Sequence, residues 1–487
     1  MDFRDYIQVI STSADPAPYG VYPRSVNQIG EVYVFMARAA EGDTLVCTSC
    51  DLDFEGECLT AHGAKCLIAP LTHANACVLR RLFPFTAPVP VLGRPRTIGV
   101  GDRLGIATPG HIRVFERYDA TPVLAQQSMR ELDLTGRTYE EVLDCVTFSV
   151  FSLGYKGGFG ADGDHLKTPE DIQMALETGY SMITLDCSEH IRAGKTRRKS
   201  AGKTLEALYL GKEFRLGNGG CIAFDAQTLA QLSYTYEKAI RFAVEIYREF
   251  FQDGKSQADF ELSIDETETP TTPQAHFFVA NELIRQGVRP ATIAPRFCGE
   301  FQKGIDYIGN LEQFERELAA HVAIARHFDY KLSIHSGSDK FSIFPAIGKE
   351  TGGVFHLKTA GTSWLEAMRV AAIAAPGLSR SIYRYAYSVF DQATRYYHVT
   401  TDLNRIPDFN DVSDAQLPQL FEQPDFRQMI HITYGLILNH KDDNGEYVFK
   451  NKLYRLWRTH AEEYAQALEA HIGKHLQLLG VEEREKG

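Results

Sequence analysis

Residues 158–188, GFGADGDHLKTPEDIQMALETGYSMITLDCS, read as strand, helix, strand. GFGADGDHL (158–166) and SMITLDCS (181–188) are the strands. Thr168-Pro169-Glu170-Asp171 opens the helix between them, with a proline in its first turn and two acids at its positive end. The same texture recurs on both sides. RLGIAT (103–108) and PVLAQQS (122–128) precede it, and DFELSIDE (259–266), ATIAPRF (291–297), KLSIHSGS (331–338) and GVFHLKT (353–359) follow. Asn310 opens a helical LEQFERELAAHVAIARHF, and GTSWLEAMRVAAIAA follows the last strand. Eight such strands, most followed by a helical pattern, predict an α/β fold. A closed (β/α)8 TIM-like barrel is favoured over an open doubly wound sheet.

The flanks differ. In residues 1–98, VYVFMARA and DTLVCTS read as short strands around AAEGD, a small β-rich N-terminal region. Pro84, Pro88, Pro90 and Pro95 then mark a boundary. The barrel is expected over 99–375, with an enlarged insertion at about 189–257. Residues 376–487 read as a helical C-terminal extension interrupted by YYHVTTDL, packing on the barrel or covering its mouth.

Composition narrows the function. Of 487 residues, 44% are hydrophobic and 23% charged, which excludes disorder and fibrous repeats. Basic residues number 51 and acidic residues 63, leaving a net charge of −12. Such a surface repels a phosphate backbone and an anionic bilayer, so neither nucleic acid nor membrane is an expected partner. A small anionic substrate is still admissible, because a few buried cations set the sign of one pocket. No apolar run approaches the roughly 18 residues of a membrane span. MDFRDYIQVISTS is not a signal peptide, and the chain reads as cytoplasmic. Homo-oligomerisation stays open. The nine cysteines are an odd count and do not suggest a disulfide framework. Cys47, Cys50, Cys58 and Cys66 could hold a structural zinc, but the later pair lacks knuckle spacing, and buried or half-buried thiols are the favoured reading.

In a barrel of this kind the active site lies at the C-terminal ends of the strands. Polar residues collect there: Gln126, Gln127 and Arg130; Asp162, Asp164 and His165; Asp186; the acids of DFELSIDETET; Arg296, with Glu300, Lys303 and Asp306 after it; His335, Asp339 and Lys340; His356 and Lys358. Alternation puts Glu261, Ser263 and Asp265 on one face and Phe260, Leu262 and Ile264 on the other, so the acidic face should point inward. The bland alternative is a structural acid paired to a neighbouring cation. Histidines at the ends of different strands, His165 beside Asp164 and His335 in IHSGSDK, are ingredients of an open divalent-metal site. No nucleotide cofactor is expected. GGFGADG lacks G-x-G-x-x-G spacing, no Walker motif is present, and AGKTRRKSAGKT (193–204) reads as a solvated surface insertion.

GDRLGIATPGH (101–111), AQQSMRE (125–131), GFGADGDHLKTPED (158–171), SIDETETPT (263–271), GEFQKGIDY (299–307), IHSGSDKFS (334–342) and FHLKTAGTSWLEA (355–367) resemble the tagaturonate/fructuronate epimerase family. The resemblance runs from about residue 99 into the C-terminal helices; residues 1–98 match only loosely. It implies an isomerase that interconverts D-tagaturonate and D-fructuronate with a divalent cation (zinc, manganese, cobalt or nickel). It further implies Asp164 as proton acceptor, Glu261 as proton donor, and His165 and His335 as metal ligands. Asp306 is the expected third ligand, with Glu266 and Glu300 as rivals. The substrate would be a small ketouronate. The carbon that inverts lies β to the ketone and to the carboxylate, so simple enolisation cannot invert it. Retro-aldol cleavage and re-addition can, given a metal and an acid/base on each side. Strand position then suggests Arg103, Arg296, Lys303, Lys340 and Lys358 for the substrate carboxylate, and Gln126 and Gln127 for its hydroxyls. The alternatives are a metal-dependent ketose epimerase, isomerase or aldolase on a related sugar or sugar acid, and a catalytically silent sugar-acid-binding protein.

Overall fold

The computed structural model describes residues 2–12, 14–39, 42–61, 63–196, 198, 200–359 and 361–485. The surface insertion expected at 193–204 thus lies partly outside the described residues, at positions 197 and 199.

Strands β1 (Asn27–Ile29), β2 (Val32–Ala39), β3 (Gly42–Cys47), β4 (Glu57–Ala61) and β5 (Ala64–Ala69) form an antiparallel sheet ordered β1-β2-β3-β5-β4. Val34, Met36 and Leu45 pack from it onto Phe148 and Phe151 of the helix Tyr139–Leu153, which belongs to the barrel's outer ring. Cys50 and Cys58 form a disulfide, whereas Cys47 and Cys66 are buried. The expectation of four thiols is corrected to that extent, and a disulfide between two of the four removes the zinc set.

After the prolines comes β6 (Arg96–Val100), then β7 (Thr121–Ser128), β8 (Gly160–Leu166) and β9 (Met182–Asp186). The hairpin β10 (Glu213–Arg215) and β11 (Cys221–Ala223) lies in the insertion, between the helices Lys203–Tyr209 and Ala226–Phe250. β12 (Asp259–Ile264), β13 (Thr292–Pro295), β14 (Lys331–Ile334) and β15 (Phe355–Thr359) complete the set. β6, β7, β8, β9, β12, β13, β14 and β15 are parallel and close into a barrel in that order. The eight-stranded barrel is therefore as expected, with one strand misplaced. The first strand is RTIGV rather than RLGIAT, and the boundary expected at 98 falls inside it. RLGIAT cannot continue as a strand because Gly105 takes φ 76 and Pro109 sits in the first turn of the helix Thr108–Arg117.

Along β12 the period-2 pattern holds. Phe260, Leu262 and Ile264 join the large core between barrel and helices, while Glu261 and Ser263 are fully buried among the strands. The C-terminal helices build a second core. Trp364 and Trp457 meet there at 6.0 Å, and Arg103 is buried, stacked 3.8 Å over Tyr434 and paired with Glu131 at 2.7 Å. The helix Ala461–Leu478 packs on Thr108–Arg117 and on Thr362–Ala374, anchoring the extension to the barrel. Among the described residues no helix is long and apolar enough to cross a membrane.

Candidate active site

A cavity of about 890 Å³ opens at the C-terminal ends of the strands. Asp164, His165, Asp265, Glu266, Arg296, Lys303, His335 and Lys358 line it, together with Tyr396, Tyr397 and His398 from the C-terminal extension.

Asp164 and His165 are neighbours on β8, where alternation would send one of them outward. Both reach the cavity because the β8–β9 register shifts between Gly163 and Leu166 and His165 takes the left-handed φ 56. Ser336, just after His335, is also left-handed, at φ 51. Such backbone costs about 1–3 kcal/mol per residue and persists where the surroundings enforce it.

Three ligand atoms converge. His335 Nδ1 lies 3.3 Å from His165 Nε2 and 3.2 Å from Asp265 Oδ1, and His165 Nε2 lies 3.5 Å from Asp265 Oδ1. Tetrahedral N and O ligands about 2.0–2.1 Å from one ion stand roughly 3.3 Å apart, so this triangle has the right size for a divalent cation. The outer nitrogens reinforce it. His165 Nδ1 is 2.7 Å from Asp164 Oδ1, and His335 Nε2 is 2.7 Å from Glu261 Oε1. Each carboxylate accepts the outer N–H, fixing the tautomer whose inner lone pair faces the common point. Two lone pairs and a carboxylate aimed at one another make a group that can hold a cation. Ser263 Oγ, two residues back on the same face, donates to Asp265 Oδ1.

Below this triangle lies a buried charge cluster. Lys358 Nζ reaches Asp162 at 2.6 Å, Asp164 at 2.5 Å and Glu261 at 3.3 Å. Thr184 and Thr292, level with Glu261 on β9 and β13, donate to its two oxygens at 3.0 and 2.5 Å. Burial pushes the acids' pKa values up. For Glu261, the Lys358 ammonium and the N–H that His335 donates outweigh burial and hold the carboxyl well below its ordinary range. For Asp164, the Lys358 ammonium and the N–H that His165 donates do the same. Burial wins at Asp162, which is pushed up to about 6.

The expected site residues therefore divide. His165, His335, Asp164, Lys358, Lys303, Arg296 and Gln126 line the cavity. Gln126 Nε2 donates to the Thr359 carbonyl at 3.0 Å, and a Cβ at Gly99 would lie 1.6 Å from its Oε1, so only glycine leaves that amide room. Glu261 is fully buried, has both oxygens engaged and does not line the cavity. Gln127 is buried and does not line the cavity, with no partner for its amide among the described residues. Lys340 Nζ is spent on the carbonyls of Gln302, Ile305 and Ser338. Asp306, the expected third ligand, is exposed and accepts from Tyr307 N at 2.7 Å and Ser342 Oγ at 2.9 Å. Lys340 and Asp306 tie loops together, and Asp265 takes the third corner. The inward face Glu261-Ser263-Asp265 already carried that signal, since Asp265 is its member nearest the mouth. Arg103 is committed to Glu131. Tyr396–His398 had no local signal at all.

A second cluster, Asp339, His471 and His475, lies behind the His335 loop. His475 Nε2 accepts from Asp339 N at 3.1 Å and Arg427 donates to Asp339 Oδ2 at 2.9 Å, so one lone pair is taken and a guanidinium already neutralises the acid.

Known proteins resemble the chain along almost its whole length. The tagaturonate epimerase (UxaE) family model matches residues 22–479. The chain is 41% identical over 476 residues to the tagaturonate/fructuronate epimerase of Thermotoga maritima, covering 95% of this chain and 97% of that protein. A glycerol-complexed crystal structure of fructuronate-tagaturonate epimerase UxaE from Cohnella laeviribosi superposes with a TM-score of 0.92 at 48% identity, over 98% of this chain and 100% of that one. The native crystal structure of the same protein gives 0.92 and 48%, over 98% and 99%. The chain therefore belongs to the tagaturonate epimerase family and is an isomerase.

Proposed function

We propose that this chain interconverts D-tagaturonate and D-fructuronate by retro-aldol cleavage and re-addition, with a divalent cation held by His165, Asp265 and His335. The observation that carries the proposal is the triangle of 3.2–3.5 Å between their ligand atoms, each histidine backed by a carboxylate. When bound, the cation supplies Lewis-acid stabilisation of negative charge developing on the substrate's oxygens.

The chain's own groups do the rest. Asp164 Oδ1 is held by His165 and Lys358, while its Oδ2 bonds to no described residue. Kept ionised by that ammonium, it takes the proton of the hydroxyl on the inverting carbon, C4 when the ketone is C2. The C3–C4 bond breaks, the three-carbon aldehyde fragment turns, and re-addition to its other face returns the proton. Glu266 lines the cavity without a hydrogen bond or ion pair to a described residue, and serves the opposite face. Glu261 orients His335 instead of touching substrate. Lys303, Arg296 and Arg130 line the cavity, and none ion-pairs with a described carboxylate. Among the described residues, Lys303 Nζ bonds only to Ser336 Oγ, at 3.4 Å. Unpaired cations around one cavity suit a substrate that brings its own carboxylate.

Purified protein with fructuronate and added zinc, manganese, cobalt or nickel, run in D2O, tests both parts. Tagaturonate should form without deuterium at C4, and exhaustive chelation should abolish turnover. Deuterium at C4 would exclude retro-aldol chemistry; full activity after chelation would exclude the cation; no interconversion with any of these ions would exclude the substrate.

A further inference from the structure

The helix His73–Leu82 presents a histidine, a cysteine and an arginine on one face, spaced H-x3-C-x2-R. Cys77 Sγ lies 3.4 Å from His73 Nε2, and His73 Nδ1 lies 2.9 Å from Asp144 Oδ2, supplied by the helix Tyr139–Leu153. Arg80 donates to Cys77 Sγ at 3.2 Å and to Asp144 Oδ1 at 3.0 Å, and to Thr147 Oγ1 at 2.9 Å. None of these residues lines the cavity at the barrel mouth. Cys77 is exposed, whereas the Asp144 and Arg80 side chains retain only 11% and 12% exposure.

The order thiol, imidazole, carboxylate has a chemical meaning. Asp144 accepts the Nδ1–H of His73, which fixes the tautomer whose Nε2 lone pair faces the thiol. That lone pair can take the thiol proton as sulfur attacks an electrophile, and the N–H that Arg80 donates holds the sulfur beside the ring. Arg80 also grips Asp144, so orienting group and cation are held as one unit by the contact between two helices. Acyl transfer is a poor fit. Cys77 sits mid-helix, where the backbone N–H groups around it are spent on the helix ladder and leave no oxyanion donors. Thiol–disulfide exchange needs no such donors.

We propose that Cys77 is a modification site, a base-assisted thiol that captures small-molecule disulfides. Its sulfur attacks one sulfur of R–S–S–R. The Cys77–S bond to that sulfur forms as the R–S–S–R bond breaks. The thiol proton passes to His73 Nε2 and then to the departing thiolate, which leaves as RSH. Cys77 sulfur is oxidised, the leaving sulfur is reduced, and excess thiol reverses the step.

Cys221 is an internal reference. It is also exposed, but among the described residues its sulfur meets only the Ile222 carbonyl, at 4.0 Å. The whole chain is treated with 2-hydroxyethyl disulfide at pH 7, and mixed disulfides at each cysteine are followed by peptide mass spectrometry. Cys77 should be modified at least about tenfold faster than Cys221, because the imidazole beside it acts as a general base. His73→Ala, at an exposed position, should bring the ratio of the two rates close to one. The proposal is overturned if Cys77 reacts no faster than Cys221, or if its lead survives His73→Ala.

Discussion

Glu261 Oε1 and His335 Nε2 are 2.7 Å apart, and the other nitrogen of the same ring points at Asp265 from 3.2 Å. A fully buried carboxylate of the barrel is thus linked to the cavity through a histidine. Glu261→Gln should weaken divalent-cation affinity about 10- to 100-fold, the usual cost of losing such an outer partner. Excess cation should restore much of the activity. Activity titrated against added cation checks this; an unchanged affinity with abolished turnover would return Glu261 to direct proton transfer.

Asp265 and Asp306 make opposite forecasts. Asp265→Asn removes one corner of the ligand triangle and should leave dialysed protein with little bound cation. Asp306→Asn loosens the ties to Tyr307 and Ser342 and should lower Tm while the cation content stays the same. Elemental analysis beside a thermal melt separates the two. Cation loss in Asp306→Asn alone would reinstate it as the ligand.

Lys358→Met should leave Asp162, Asp164 and Glu261 buried without their shared ammonium. Breaking a buried pair in this way costs about 3–5 kcal/mol. Urea unfolding at neutral pH should show that loss, and the deficit should shrink in acid as the carboxyls take up protons. A variant as stable as the parent would mean that these acids are neutral in the folded protein.

Stability should also fall in mild acid for reasons away from the cavity. Burial lowers the pKa values of His111 and His321 to about 4, from an ordinary 6.5. The unfolded chain thus binds more protons than the folded one between those values. The contribution of both residues is complete above pH 6.5 and drains away as pH falls toward 4. Tm should drop within that window. A flat profile down to pH 4 would show that neither histidine is held neutral.

The barrel was legible because its pattern is local. Apolar strands, Thr168-Pro169 and Asn310 as helix openers, and alternation along DFELSIDE all act within a few residues. The first strand was misplaced because RTIGV and RLGIAT are equally short and apolar. What separates them is a left-handed Gly105 and a helix that claims Thr108 onward. Lys340 and Arg103 read as free cations in the sequence. Both are consumed by partners that distant loops and helices bring to them, Lys340 by three carbonyls and Arg103 by Glu131.

By itself, the sequence determined the strand–helix repeat, the inward face of Glu261, Ser263 and Asp265, and the two histidines at strand ends. Their side-chain period and chemistry are properties of short segments. Only the tertiary structure decided that His165, Asp265 and His335 share one point. They come from β8, β12 and β14, alternate strands of the closed barrel, and alternate strands supply the same layer of a barrel interior. Strand stagger, the register shift in β8 and the left-handed turns at His165 and Ser336 set the final ångströms. Each of these depends on the closed ring of strands, so the inward face of one short segment offered Asp265, and the meeting of three strands set it beside the two histidines.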